Sequence, residues 1–456
     1  MTYTRRMRKS ASWAAVVLSL TVGLASMPGQ AVAQAVPQDT AALEEAYNKA
    51  FQDLFGDPGN LDKSFRFAEL AVQRGNYEAA ITSLERMLLV NPDLPRVRLE
   101  LGVLYFRIGS YQISRAYLQR VKESANVPPE LQARVQTFLD EIDKRLTRSA
   151  FSGSVFTGGR YTTNANAGPT STSVLAGGVP ANLGDQSTRQ SDYNIFGTVT
   201  LDHKYDLQTQ RQEFVESSGT LYASEQKDEK QLDIILGEVS TGVRFPILTE
   251  SFEGATMKPY IVGSSIFLQD GRYLTTYGLG VNVTLPWHKR LSTNGTLELR
   301  EENFRDDSNR PTASQQSGEE TSLRLTTSYL LNERTQLLGQ LGVLNQNAET
   351  KFNAYGEKMI GGGVARVIPL DGIWEKPVTV ALTGQRVISD YRGPNTAVDP
   401  NNTRFDKEWR VTLIGSLPLG EDWTAIANVQ RNIVDSNQPN FQYNATSVSV
   451  GLQYQF

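Results

Sequence analysis

From Phe151 onward, apolar and polar residues alternate in short runs separated by turn-rich stretches, and the last run shows the pattern most clearly. Val448, Val450, Leu452, Tyr454 and Phe456 alternate with Ser447, Ser449, Gly451, Gln453 and Gln455. A period of two that ends on an aromatic is expected of a strand with lipid on one face and water on the other. These five residues also form the expected barrel-insertion signal. They make the barrel assembly machinery and outer-membrane lipid expected partners, and the outer membrane of a Gram-negative bacterium the expected location. Runs of this kind recur from 151–164 to 442–456, fourteen in all. Each exceeds the roughly 9 to 11 residues that a tilted strand needs to cross the hydrocarbon.

The parity of these strands sorts their side chains. Tyr273, Tyr277, Leu279, Val281, Val283, Leu285 and Trp287 form an expected lipid-facing row, with Trp409 and Trp423 as girdle residues at strand ends. Charged residues take the other parity, which makes Asp202, Lys204, Glu238, Arg244, Glu298, Arg300, Glu302, Arg324 and Arg410 the expected lumen-facing charges. On the lipid face a midplane Arg or Lys would cost about 2–4 kcal/mol. Both signs are present, so the lumen is read either as a hydrated path with little charge selection or as a wall braced by ion pairs. Short connections at 288–290, 332–334 and 420–422 alternate with longer ones at 165–190, 305–319 and 392–402. The short ones belong in the periplasm, where 248–257 is the one expected exception.

Ahead of the strands the period changes to that of helices, and a spacing of 34 residues relates Gly75-Asn76-Tyr77 to Gly109-Ser110-Tyr111. Ala80, Leu84, Met87, Leu88 and Pro92 in the first unit, with Leu101, Gly102, Tyr105, Leu118 and Val121 in the second, supply the small and large positions of tetratricopeptide repeats. Flanking helices near 41–55 and 129–146 are expected as caps. The first helix of each pair should line the concave side, which places Phe65, Glu69, Val72, Arg96, Leu99, Val103 and Phe106 in a candidate client-binding groove. The alternative is that these side chains pack against a capping helix or a neighbouring domain.

The chain begins with a basic stretch at Arg5, Arg6, Arg8 and Lys9, an apolar run from Ala14 to Met27, and Ala31-Val32-Ala33. This is the form of a signal peptide over 1–33, with Ala35 as a second cleavage position. The expected organisation is therefore a signal peptide (1–33), a short periplasmic tetratricopeptide-like helical module (40–147) and a 14-stranded antiparallel transmembrane β-barrel (150–456), an α plus membrane-β fold.

Cysteine is absent from the sequence, and only His203 and His288 could offer imidazole, so no metal site and no cofactor are expected. Neither a Gly-x-Ser-x-Gly elbow nor an HExxH run occurs, and catalysis is not expected. Gly361-Gly362-Gly363 lies in a strand pattern and is read as a bend or a place of close wall packing. The net charge of −4 is spread without blocks, which gives no reason to expect nucleic acid.

Three segments carry a resemblance. They are 91–107 (NPDLPRVRLELGVLYFR), 127–145 (VPPELQARVQTFLDEIDKR) and 159–166 (GRYTTNAN). Together they resemble the surface lipoprotein assembly modulator (Slam) family, whose members join a periplasmic tetratricopeptide module to a fourteen-stranded barrel. The resemblance implies capture of a client in the periplasm and its delivery to the cell surface, the client being a surface lipoprotein or a secreted protein. The helical module here is shorter than in better-known members. Alternatives are an exopolysaccharide export porin on a tetratricopeptide scaffold, and a passive porin with a periplasmic binding module.

Overall fold

A computed structural model of the chain describes residues 40–124, 128–184, 187–209, 211–248, 252–269, 271–370, 372 and 374–456. The expected signal peptide lies outside these residues. The described chain forms two compact units, one helical and ending at Arg148, the other beginning at Ser149 and built of strands.

The helical unit contains α1 (Thr40–Gly56), α2 (Leu61–Arg74), α3 (Tyr77–Val90), α4 (Pro95–Arg107), α5 (Tyr111–Lys122) and α6 (Pro129–Leu146). The 34-residue period repeats a helix ending. Gly75 and Gly109 both adopt positive φ, at 83° and 79°. In each, the glycine N–H and the following N–H donate back into the last turn: Gly75 to Val72, Asn76 to Ala71, Gly109 to Phe106 and Ser110 to Tyr105. A residue with a Cβ is strained in that conformation, so glycine sets where α2 and α4 stop.

The repeat also governs packing. Ala80 and Ser114 occupy equivalent buried positions, as do Leu84 and Leu118, and Met87 and Val121. A Cβ built on Gly102 would stand 2.7 Å from the side chain of Leu118, so α4 and α5 meet with no room for a methyl group. Ser114 Oγ donates to the Gly102 carbonyl at 2.6 Å across the same contact. Helix α4 is apolar on two sides. Val97, Leu101 and Leu104 join a core shared with α2 and α3. Leu99 and Val103 join a second core with Leu118, Val121 and residues of α6.

The strand unit is a closed antiparallel barrel. Its fourteen strands are β1 (Ser149–Thr162), β4 (Asp192–Asp206), β5 (Phe214–Gln226), β6 (Ile234–Pro246), β7 (Thr256–Leu268), β8 (Gly271–His288), β9 (Leu291–Phe304), β10 (Gly318–Asn332), β11 (Thr335–Ala348), β12 (Tyr355–Ile368), β13 (Val378–Tyr391), β14 (Phe405–Pro418), β15 (Trp423–Ser436) and β16 (Tyr443–Gln455). A small hairpin, β2 (Ser173–Ala176) and β3 (Val179–Asn182), lies in the connection from β1 to β4. Each strand pairs with its neighbours in the sheet, and β1 closes on β16 with Gly158 opposite Gly451. At the end of this seam Gly153 and Phe456 exchange both backbone hydrogen bonds, at 3.0 and 3.1 Å. Closure leaves no unpaired strand edge, as hydrocarbon requires.

The outward rows are apolar and uncovered. Val239, Leu279, Ile360 and Val450 are each more than 60% exposed, which in water would be an unsustainable surface and in lipid is the stable one. Val448, Leu452 and Phe456 stand exposed on the same outward row as Val450, and Tyr454 stacks near Trp423 with ring centroids 5.0 Å apart. Among the described residues no helix is long and apolar enough to cross a membrane.

We call the barrel end at which β1 begins the near end and the opposite one the far end. Three observations correct the sequence reading. Tyr273 does not join the lipid-facing row: the register shifts between Ile266 and Phe267, and Tyr273 is buried against Phe304 at 5.3 Å. A β-bulge inserts one residue and changes which residues face out. The length asymmetry is weaker than expected, because near-end connections 207–213 and 369–377 are long as well as 247–255, while β7 passes to β8 at the far end within two residues. The hairpin β2–β3 was not anticipated. It turns on Gly177 and Gly178, both at positive φ.

Gly102→Val should lower helical stability by about 1–3 kcal/mol through overpacking against Leu118. The check is thermal unfolding followed by helical circular dichroism, with the barrel transition unchanged. An unaltered helical midpoint would mean that α4 and α5 meet loosely.

Candidate functional site: the barrel lumen and the helical face

The lumen-facing rows carry side chains that are short next to long ones, and this allows contacts across several strands. Arg300 on β9 ion-pairs with Glu298 on its own strand at 2.9 Å and with Glu238 on β6 at 2.8 Å. Tyr260 of β7 reaches in the other direction and donates its hydroxyl to Glu298 at 2.5 Å. Both side chains lie over β8, where Gly280 makes room: a Cβ there would stand 2.3 Å from the Tyr260 ring.

A second cluster joins β5, β6, β7 and β8. Arg244 pairs with Glu216 at 2.8 Å and donates to Thr256 and Asn282, while Lys258 approaches Glu216 at 3.8 Å. Nearby, Asp202 accepts a hydrogen bond from Ser218 at 2.7 Å, and the Lys204 ammonium lies 3.7 Å from the Phe214 ring centroid. On the other wall, Arg410 pairs with Glu408 at 2.9 Å. Glu302 accepts from Gln346 at 3.0 Å, and Arg324 stands on the inward row between Thr296 and Gly342.

At the far end charged and aromatic side chains gather around Arg404. Arg404 pairs with Asp406 at 2.5 Å, and its guanidinium carbon lies 3.6 Å from the Phe441 ring centroid and 4.6 Å from that of Tyr391. Arg404, Phe441 and Tyr391, with Gln316 from the β9–β10 connection and Gln438, line a cavity of about 40 Å³. The far-end connections also bond to one another. Gly177 and Gly178 donate to Ala397 and Val398, and Leu175 exchanges hydrogen bonds with the Asn440 side chain.

Glu216, Lys258, Tyr260, Glu408 and Arg404 are thus lumen residues that sequence reasoning did not single out. Parity already marked Glu216 and Glu408. Arg404 lies just before β14, where parity has no meaning. Among the described residues no group of three His, Cys, Asp or Glu could hold a metal ion. His203 stacks on Phe151 with centroids 4.4 Å apart and contacts Ser149 Oγ at 2.8 Å.

The candidate groove is divided by the structure. Leu99 and Val103 are buried in the second core, and Phe106 packs edge-on against Phe138 of α6 at 5.4 Å. These three are covered by the flanking helix and do not line an open groove, a correction whose cause is that α4 is buried on two sides. Phe65 and Val72 are half-buried against the first core, while Glu69 and Arg96 are exposed. Arg96 stacks on Phe65 with its guanidinium carbon 4.9 Å from the ring centroid.

A further polar group lies in this unit. The Tyr105 and Tyr117 rings stack 5.6 Å apart, and both hydroxyls donate to Glu85 Oε1, at 2.7 and 3.3 Å. Burial, reinforced by the adjacent Glu85 carboxylate, pushes both phenols above their ordinary range.

With this geometry in view, the comparisons are brief. A tetratricopeptide-repeat family model matches residues 71–135. No curated protein matches the chain. Among solved structures, the type III secretion chaperone SycD of Yersinia enterocolitica, crystallised with a peptide of the translocator YopD, is 20% identical over 24% of this chain and 85% of that one, with a TM-score of 0.22. PcrH, crystallised with the chaperone-binding region of PopD, is 16% identical over 24% of this chain and 84% of that one, also at 0.22. An anion-selective porin from Comamonas acidovorans is 13% identical over 68% of this chain and 99% of that one, at 0.35. The chain therefore combines tetratricopeptide-like helices with a closed antiparallel β-barrel of fourteen strands.

Two outcomes follow. Arg300→Met should leave Glu238 and Glu298 without their shared cation, destabilising the folded barrel by about 3–5 kcal/mol and making its pore more cation-selective. Heat-modifiable gel migration and reversal potentials in planar bilayers check this, and an anion-ward shift would contradict it. Because both tyrosine values are raised on folding, the stability they contribute is fully present below the unfolded value near pH 10 and is lost as pH rises through the folded values. Helical content followed to alkaline pH should fall less steeply in the Tyr105→Phe, Tyr117→Phe double variant; identical curves would remove the pair from this role.

Proposed function

We propose that the protein is an outer-membrane translocator that receives a client protein in the periplasm and passes it to the cell surface, without covalent chemistry. The observation that carries the reading is the union in one chain of tetratricopeptide helices with a closed transmembrane barrel, separated only by Thr147 and Arg148. Helical repeats of this type present extended surfaces suited to peptide segments. A barrel supplies a route or a wall through the bilayer. On this reading the signal peptide exports the chain, the near end and the helices lie on the periplasmic side, and the barrel assembly machinery inserts it by way of the Val448 to Phe456 row.

The segments 91–107, 127–145 and 159–166 support membership of the Slam family, and with it a surface lipoprotein or secreted protein as client. The part of the groove left accessible, with Glu69 and Arg96 exposed beside the half-buried Phe65 and Val72, is the proposed contact. The lumen charges Asp202, Lys204, Glu238, Arg244, Glu298, Arg300, Glu302, Arg324 and Arg410 are proposed chiefly as a brace, with Arg324 as the one best placed to meet a passing solute.

A passive porin is the second reading, favoured by the polar, charge-lined interior. The two differ in what the helices are for. Deletion of residues 40–147 should leave a barrel that inserts with normal heat-modifiable migration but should abolish surface display of the client encoded beside it. Undiminished display, scored by protease accessibility on whole cells, would favour the porin.

A further inference from the structure

The outward face of the barrel is not uniformly apolar. On four adjacent strands near the far end it carries Lys358 of β12, Arg386 of β13, Lys407 of β14 and Arg431 of β15. The register places all four on the outer surface. Arg386 lies between the exposed Ile360 and Trp409, and Lys358 is opposite the exposed Val343. Lys407 shares the outward row of Trp409, and Arg431 lies opposite the exposed Val411. Neighbouring strands are about 5 Å apart and alternate residues about 7 Å apart along a strand, so the four Cα atoms fall within a patch about 20 Å across.

These cations are held but not neutralised. Arg386 stacks on Trp409 at 4.9 Å, Lys407 lies 5.5 Å from the Phe405 ring, and Arg431 donates to Thr446 at 2.6 Å. Among the described residues no carboxylate stands within ion-pair distance of any of the four, whereas the lumen cations Arg244, Lys258, Arg300, Arg404 and Arg410 each have one. Asp435 opposes Lys407 in the register, and Asp390 lies one step farther toward the rim.

The patch is also particular to one side of the barrel. At the corresponding far-end level on β5, β9 and β10 the outward residues are Glu225, Glu301 and Glu319. Immediately toward the near end, the strands that bear the cations turn apolar, with Val364, Leu382, Leu413 and Val429 all exposed.

Cations grouped above a strip of exposed aliphatic side chains match one class of partner, an amphiphile with an anionic head and several acyl chains. We propose that the outer face of β12–β15 binds a lipid of the surrounding leaflet whose phosphate-bearing head group is net anionic. Arg386 and Arg431 offer forked donors to phosphate oxygens, Lys358 and Lys407 add charge, and the acyl chains lie along the aliphatic strip. This rests on the reading of the barrel as membrane-spanning.

The test uses the full chain, delipidated in an uncharged detergent and titrated in native mass spectrometry. The probes are bisphosphorylated lipid A, phosphatidylcholine and inorganic phosphate. Removing the charge at all four positions (K358Q, R386Q, K407Q, R431Q) should weaken lipid A binding at least about tenfold. The pair K358Q, K407Q should be intermediate and R272Q, an outward arginine on another strand, unaffected. Phosphatidylcholine should bind all forms alike. If the quadruple variant fails to show heat-modifiable folding, the lysine pair decides. Equal lipid A binding across the variants would overturn the site, and displacement of lipid A by an equal concentration of inorganic phosphate would make it a free-anion site instead. A wild-type protein that fails to insert into vesicles would defeat the membrane reading itself, an outcome distinct from insertion without charge-dependent binding.

Discussion

A strand that crosses hydrocarbon has no water to receive its N–H and C=O groups, and this one requirement organises the larger part of the molecule. Each unpaired group in lipid would cost several kcal/mol, so the sheet has to meet itself. The seam between β1 and β16 is where that requirement is met, with continuous pairing from Ser154 opposite Gln455 to Thr162 opposite Ser447. Once the sheet closes, alternation leaves only two destinations for a side chain. Apolar residues go to the bilayer, and away from the rims the charges are gathered into a confined interior where most of them find each other.

That gathering explains the form of the lumen. Arg300 could not reach Glu238 across two intervening strands if β8 presented bulky residues there. Placing small residues on one strand opens a channel for long side chains from its neighbours, and the resulting ties link strands that share no backbone bonds. The wall is stiffened crosswise as well as along its ladders. The polar contacts around Arg404 and Phe441 do the same at the far end, where connections from opposite sides of the barrel meet.

How much of this could be read from the chain depends on whether a local rule governs the residue. Alternation revealed all fourteen strands, because each one obeys period two over its own length. It failed at Tyr273, where a single inserted residue changes the facing and leaves no compositional mark. The Gly177-Gly178 pair was a legible hairpin signal that went unused inside a long connection. In the helices, the 34-residue spacing was sufficient to locate the repeats, since glycine at a positive φ is a local necessity. The groove was harder. Leu99, Val103 and Phe106 satisfy the spacing for a concave surface, yet whether a surface is open depends on where α6 packs, and that is a tertiary fact. The same limit applies to Lys358, Arg386, Lys407 and Arg431, which are four scattered residues until the register sets them side by side.

The seam has a consequence for the order of events during folding. It joins the two strands of the barrel that are farthest apart along the polypeptide, whereas the other pairings link neighbours in sequence. Local hairpins can therefore form early, but the last pairing must wait for nearly every other strand, and contacts of such separation are slow to make. Throughout that interval the growing sheet presents two open edges to whatever surrounds it. Escort of the unfinished chain is thus built into its topology, and the time most open to error is the moment before the ring is complete.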